Sequence, residues 1–167
     1  ANNVLRNYGY FHGYADFSLL QKKNPHTAKI NYNIHTGQVF RIDSVEYLGF
    51  EGKMDSLIQA SRPTSLLKKG IPFSAIALTN EQSRIATILR NEGFYYYRSS
   101  SATYTADTIA KPYKVLLRMQ PKQNIPPQFM HQWYIGKTNI TVLKNQGDTI
   151  QHEQKMRSGR GVYYYSG

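Results

Sequence analysis

The sequence predicts an α+β fold assembled from repeats of one small module. First, Val4-Leu5-Arg6-Asn7-Tyr8-Gly9-Tyr10-Phe11 reappears about 84 residues later as Ile88-Leu89-Arg90-Asn91-Glu92-Gly93-Phe94-Tyr95. Both copies run from a helix end, through a glycine, into aromatic residues. Second, each copy is followed by two β-like stretches with a polar turn between them, the pattern of a hairpin. Third, residues 39–120 read strand, helix, helix, strand, strand. A long crossover joins parallel neighbours in a sheet. The expected module is therefore a three-stranded mixed sheet, first and last strands parallel and adjacent, with two helices on one face.

The elements follow in order. Residues 1–8 read as the last turns of a helix, with Gly9 where a C-cap needs a left-handed residue. Tyr10 to Leu20 alternates as a strand, and Gln21 to Thr27 is a polar turn broken by Pro25. Ala28 to Ile34 is the partner strand, followed by the tight turn His35-Thr36-Gly37-Gln38. Val39 to Tyr47 is the next strand, ending at Leu48-Gly49-Phe50. Met54, Leu57 and Ile58 share a helical face that fades by Ser61-Arg62-Pro63. Ile85, Ile88 and Leu89 repeat at helical spacing, so a long helix runs from Ser74 or Leu78 to Asn91 and stops at Gly93. Phe94 to Thr105 is expected as a long strand, Asp107 to Pro112 as a turn, and Tyr113 to Met119 as a strand. Pro121 to Pro127 is a linker. Gln132 to Leu143 restarts a strand, Asn145-Gln146-Gly147-Asp148 turns, Gln151 to Gly161 is polar and mobile, and Val162 to Tyr165 is β-like. Ile42, Val45, Leu57, Ile85, Ile88, Leu89, Val115 and Leu117 are the expected core.

The 167 residues carry a net charge of +11, fourteen tyrosines and no cysteine. Nine basic side chains face three acidic ones after residue 100, but Lys22-Lys23 and Lys68-Lys69 are the densest clusters. The charge fits a solvated surface or an anionic partner. No apolar run approaches the ~20 residues of a membrane-spanning helix, and no signal-peptide pattern follows Ala1. Without cysteine there is no disulfide and no reactive thiol. His12, His26, His35, His131 and His152 never fall at i, i+3 or i+4 spacing, so no metal site is expected. No Gly-x-Ser-x-Gly elbow and no Gly-x-Gly-x-x-Gly loop is present. The expectation is a protein without catalysis, cofactor or metal.

Several motifs in order carry a family resemblance. They are Phe40-Arg41-Ile42-Asp43-Ser44-Val45-Glu46-Tyr47, Leu48-Gly49-Phe50, Lys69-Gly70-Ile71-Pro72-Phe73, Ile85 through Gly93-Phe94, and Val115-Leu116-Leu117. The sequence resembles the polypeptide-transport-associated (POTRA) array of BamA/TamA-like outer-membrane assembly and translocation proteins, the bacterial surface antigen family. Gly9, Gly49, Gly70 and Gly93 are its structural motif positions. The resemblance divides the chain into 1–38, the C-terminal part of one POTRA module; 39–121, a complete one; 122–131, a linker; and 132–167, the start of a further module or an extension. The loop at Ser61-Arg62-Pro63-Thr64 is longer than a compact helix pair needs, and 144–161 fits no POTRA element.

The resemblance implies a periplasmic scaffold attached to the outer membrane through a β-barrel of the same protein. It implies that the module binds unfolded outer-membrane or translocated polypeptides and accessory assembly proteins. An open sheet edge accepts an added strand through backbone hydrogen bonds, whatever the client's side chains. The expected edge is Phe94, Tyr95, Tyr96, Tyr97, Arg98, Ser99, Ser100, Ser101 and Tyr104. A purely structural spacer is one alternative. A basic nucleic-acid-binding α/β domain is the other, with the aromatics of Phe94-Tyr95-Tyr96-Tyr97-Arg98 and Arg160-Gly161-Val162-Tyr163 stacking on bases.

Overall fold

The computed structural model describes residues 2–21, 27–142, 156–158 and 161–165. Two compact units divide at Gln132/Trp133. In the first, helix α1 (Asn2–Asn7) leads to the hairpin β1 (Tyr14–Gln21) and β2 (Ala28–His35). Then come β3 (Arg41–Tyr47), α2 (Gly52–Ala60), α3 (Ala75–Asn91), β4 (Ala102–Asp107) and β5 (Lys114–Pro121). β5 lies between β3 and β4, parallel to the first and antiparallel to the second. The strand–helix–helix–strand–strand order and the mixed sheet are as the sequence implied.

Alternation of apolar and polar residues gives the sheet one dry face. Val115, Leu117 and Met119 of β5 are fully buried, whereas Arg118, one step out of phase, pairs with Glu46 across the other face at 3.0 Å. Met54 and Ile58 from α2, with Ile85, Ala86 and Leu89 from α3, join Tyr47 and Met119 in one cluster. Both helices therefore cover the same face. Phe40, Ile42, Leu67 and Phe73 close the other end of the core around Val115 and Leu117. Of the expected core, Val45, Leu57 and Ile88 are half-buried and the other five are buried.

The long loop after α2 is held by a buried ion pair. Glu81 of α3 is fully buried. Its carboxylate accepts from Arg84 Nε at 2.9 Å and Nη2 at 2.6 Å, from the Leu66 N–H at 2.9 Å and from the Tyr47 hydroxyl at 3.0 Å. Arg84 also donates to Thr64 Oγ1 at 3.0 Å and Ser61 Oγ at 3.3 Å. Burial alone pushes the Glu81 carboxyl up, but the Arg84 fork and the Leu66 N–H outweigh it and hold it below the usual range.

The repeated motif is one capping structure used twice. The Gly9 N–H donates to Arg6 O at 3.1 Å and the Tyr10 N–H to Leu5 O at 3.0 Å. In the second copy, Gly93 N–H donates to Arg90 O at 3.1 Å and Phe94 N–H to Leu89 O at 3.0 Å. This is the Schellman pair of bonds, which requires a left-handed residue; φ is +83° at Gly9 and +94° at Gly93.

The exit from the first cap also joins the hairpin to the module. Gly9 O accepts from the Phe40 N–H at 2.9 Å, and the Phe11 ring lies 5.1 Å from Phe40 and 5.0 Å from Phe73. A Cβ on Gly9 would sit 3.1 Å from the carbonyls of both Phe40 and Phe73. The hairpin itself is differently placed. β1 and β2 pair antiparallel, with Ala15 opposite Ile34, Phe17 opposite Tyr32 and Leu19 opposite Ile30. These pairs share one face, yet Phe17, Leu19, Ile30, Tyr32 and Ile34 are all exposed.

The second unit contains β6 (Thr138–Val142), β7 (Met156–Ser158) and β8 (Gly161–Tyr165). β8 is central, parallel to β6 and antiparallel to β7, the same arrangement as β3, β5 and β4. The β-like reading of Val162 to Tyr165 is met. Met156–Ser158 is a strand where a mobile segment was expected. The strand expected from Gln132 begins at Thr138 and is described to Val142, Leu143 lying outside the described residues, and that expected from Tyr10 begins at Tyr14. The turn at Asn145 to Asp148, and most of the turn at Gln21 to Thr27, lie outside the described residues. No helix among the described residues is long and apolar enough to cross a membrane.

Candidate functional site: an open sheet edge

The two edges of the β3–β5–β4 sheet are unlike. At β3, Gly70 N–H donates to Ile42 O at 2.7 Å, Ile42 N–H to Ile71 O at 2.9 Å, and Phe73 N–H to Phe40 O at 2.9 Å. Arg62 Nη2 covers Val45 O at 3.0 Å. The Lys69-Gly70-Ile71-Pro72-Phe73 motif thus occupies this edge as an irregular extra strand, and Gly70 and Gly49 also have positive φ.

At β4 no strand lies outside, among the described residues. Antiparallel pairing alternates residues that bond to the partner with residues whose backbone points away. Lys122 N–H donates to Ser101 O at 3.0 Å, and the register places Thr103 opposite Gln120 and Thr105 opposite Arg118. Thr103 and Thr105 therefore face β5, and the backbone groups of Ala102, Tyr104 and Ala106 face outward. Gln82 Nε2 fills the Ala102 carbonyl at 3.0 Å, as this phase requires. Tyr104 and Ala106 carry the open donors and acceptors. The strand has no proline, lysine or arginine, the usual guards of an edge. Its one charge, Asp107, is turned onto the Ile109 and Ala110 N–H groups at 2.9 and 3.1 Å, which hold its carboxyl below the usual range.

The expected edge over Phe94 to Thr105 is corrected here: the strand begins only at Ala102. Phe94 and Tyr97 are core residues, linked by the turn bond Tyr97 N–H to Phe94 O at 2.9 Å. Arg98 Nη1 donates to Tyr95 O at 2.8 Å and Tyr97 O at 3.1 Å. Ser99, Ser100 and Ser101 form a 3-10 turn, closed by Ser101 Oγ accepting from the Arg98 N–H at 3.0 Å. Burial of two aromatic rings outweighs the strand propensity of the run. Of the expected edge residues only Tyr104 is in the strand, and its ring packs inward against the core. Tyr95 and Tyr96 remain exposed, with rings 5.2 Å apart, but with Tyr97 buried the run is not a continuous stacking platform. Among the described residues no cluster of three His, Cys, Asp or Glu could hold a metal ion.

The part of the first unit from β3 to β5 is POTRA-like in fold, on its element order and strand sense. No family model and no curated protein matches the chain. Among solved structures, the chain is similar to BamA from Haemophilus ducreyi lacking POTRA domains 1–3, at 18% identity and a TM-score of 0.46, over 72% of this chain and 21% of that one. It is also similar to POTRA domains 3–5 of Haemophilus influenzae BamA, at 11% identity and a TM-score of 0.49, over 98% of this chain and 75% of that one. The chain thus spans about a fifth of the length of the first structure.

Proposed function

We propose that the chain is a polypeptide-binding and scaffolding part of an outer-membrane protein assembly or translocation factor, working in the periplasm. It receives client or accessory chains by strand addition at β4. The observation that carries this reading is the inequality of the two edges: the first half of β3 is covered by Gly70–Phe73 and its Val45 carbonyl by Arg62, whereas β4 presents the backbone of Tyr104 and Ala106. Strand addition needs only those backbone groups, so one site serves many sequences. A membrane β-barrel continuing the same protein is part of this proposal.

The same reading makes residues 1–38 the closing half of another module. Its support is the shared Schellman cap and the apolar hairpin face, which corresponds to the β4–β5 face that α2 and α3 cover. Residues 132–167, with the strand order of the complete sheet, are the start of a further module or an extension, and 122–131 link the two.

The test is a titration with an extended outer-membrane strand peptide, followed by amide chemical shifts. Strand addition moves the Tyr104 and Ala106 amides and is nearly indifferent to salt. Ala106→Pro removes one outward donor without touching the β5 ladder and should abolish binding. Shifts confined to other surfaces, or full binding by the proline variant, would reject β4 as the site. Tight binding of single-stranded nucleic acid that weakens steeply with salt would favour a nucleic-acid module instead. No binding by any peptide would leave only the spacer role.

A further inference from the structure

Asp43 is the one residue of β3 without a partner in the sheet. Ile42 pairs with Val115 and Ser44 with Leu116, so Asp43 is the extra residue of a bulge. Bulges re-aim side chains. This one turns the Asp43 carboxyl, only 6% exposed, toward three ammonium groups. Lys111 Nζ lies 2.6 Å from Oδ2; Lys114 Nζ and Lys69 Nζ lie 3.5 and 3.8 Å from Oδ1. The hydrogen bond from Lys111 holds the carboxyl below its usual range against the opposing effect of burial, helped by the charges of Lys111, Lys114 and Lys69.

Three cations around one anion leave a surplus of two positive charges. Asp43, Lys69 and Lys114 line a cleft of about 490 Å³ together with Gln38, Arg41 and Tyr113, among others, while Lys111 holds Asp43 from outside that lining. Arg41 adds a further cation there, with Nη1 fixed on Gly70 O at 2.9 Å. Asp43 is the only carboxylate in the lining. Each ammonium has three donors, and the lysines are half-exposed or more, so the groups held by Asp43 keep donors for a ligand. Tyr113 borders the cleft with φ at +54°, a left-handed conformation uncommon for a tyrosine. Such an outlier persists only where its surroundings fix it. Here its ring packs 5.5 Å from Phe40 and its carbonyl accepts from the Arg41 N–H at 3.0 Å.

We propose that this cleft binds a phosphate group presented as a monoester dianion. Two negative charges match the surplus of the lining, where Arg41, Lys69 and Lys114 face the one carboxylate of Asp43, whereas a carboxylate or a phosphodiester supplies one. The ammonium groups of Lys69 and Lys114 beside the Arg41 guanidinium suit the several oxygens of a phosphate. Asp43 acts as the tether that gathers the lysines. The cleft has room for the organic part of the ester beside Gln38 and Tyr113. It involves no residue of the β4 edge, so either proposal can fail alone.

The experiment uses the whole chain. Glycerol 3-phosphate at millimolar concentration should raise the melting temperature, because a ligand of the folded state stabilises it. It should also shift the amides of Arg41, Lys69, Lys111 and Lys114, less so as salt rises. The K69Q/K111Q/K114Q variant should retain the wild-type circular dichroism and lose affinity at least tenfold. Dimethyl phosphate, a monoanion, should bind at least tenfold more weakly. Retention on phosphatidic acid vesicles, lost in the same variant, would identify a lipid headgroup as the source; binding of the soluble ester alone would identify a free phosphoester. Silence of glycerol 3-phosphate, equal binding of dimethyl phosphate, or full binding by the triple variant would overturn the proposal. So would stronger binding of an acidic peptide.

Discussion

The hairpin β1–β2 and the pair β4–β5 have nearly the same sequence logic and opposite fates. Both follow a Schellman cap, both are antiparallel, and both place apolar residues at every second position on one face. In β5 those residues meet α2 and α3 and vanish from solvent; in the hairpin Phe17, Leu19, Ile30, Tyr32 and Ile34 stay exposed. The difference lies in what covers the strands. A two-stranded hairpin alone is marginal in water. The Phe40 N–H bond to Gly9 O and the docking of Phe11 on Phe40 and Phe73 therefore tie this one to the folded module.

That contrast is open to direct attack. Leu117→Ala should cost about 3 kcal/mol in urea denaturation, as a fully buried leucine truncated between sheet and helices. Leu19→Ala, on the exposed hairpin face, should change stability by less than about 0.5 kcal/mol. Equal costs would mean that the hairpin face is covered after all. Arg84→Ala strands the buried Glu81 carboxylate and should also cost about 3 kcal/mol. Its partner test is Glu81→Gln with Arg84→Met; a double variant less damaged than Arg84→Ala would show the unpaired charge to be the cause.

Smaller effects bear on the joint and on acid. Gly93→Ala should cost about 1 kcal/mol, the strain of a side chain at positive φ. Gly9→Ala should cost more, because its Cβ also meets two carbonyls of the module, and it should release the Phe11 ring from Phe40 in aromatic NMR spectra. The smallest effect is with pH. Glu81 and Asp43 have carboxyls held below their usual values in the folded chain. The unfolded chain then takes up protons first as pH falls. Their contribution is complete at neutral pH and is lost through the acid range below about pH 4. Thermal melts at constant ionic strength should show that decline, and Glu81→Gln should flatten it.

Local signals are legible in the sequence, and signals that depend on distant partners are not. Leu-Arg-Asn-x-Gly-aromatic predicts its own cap, because every bond of a Schellman motif lies within six residues. The strand expected at Phe94 failed for a non-local reason. Phe94 to Tyr97 has strand propensity, but Tyr97 fills a place in the core that alternation does not reveal. The broken loop at Ser61 to Thr64 gave no sign of order, since the groups that hold it, Glu81 and Arg84, sit on the next helix. Lys69 and Asp43 lie far in sequence from the neighbouring pair Lys111 and Lys114, and only the fold gathers the three lysines on Asp43. The edge at Tyr104 was half legible: its neighbourhood could be named, but which backbone groups face outward depends on pairing with β5.

The central place of β5 has a kinetic consequence. It is the last strand of its module to leave the ribosome, and both other strands hydrogen-bond to it, not to each other. Until residue 121 is made, β3 and β4 have no sheet to join. The pairing of Ile42 with Val115 then closes a loop of most of the module's length in one step. Such long-range parallel pairing slows folding, because chain entropy is lost before contacts repay it. The module should therefore appear all at once and late, with no stable form lacking its final strand. A chain cut before Lys114 should show no protected amides in β3, however well α3 forms by itself.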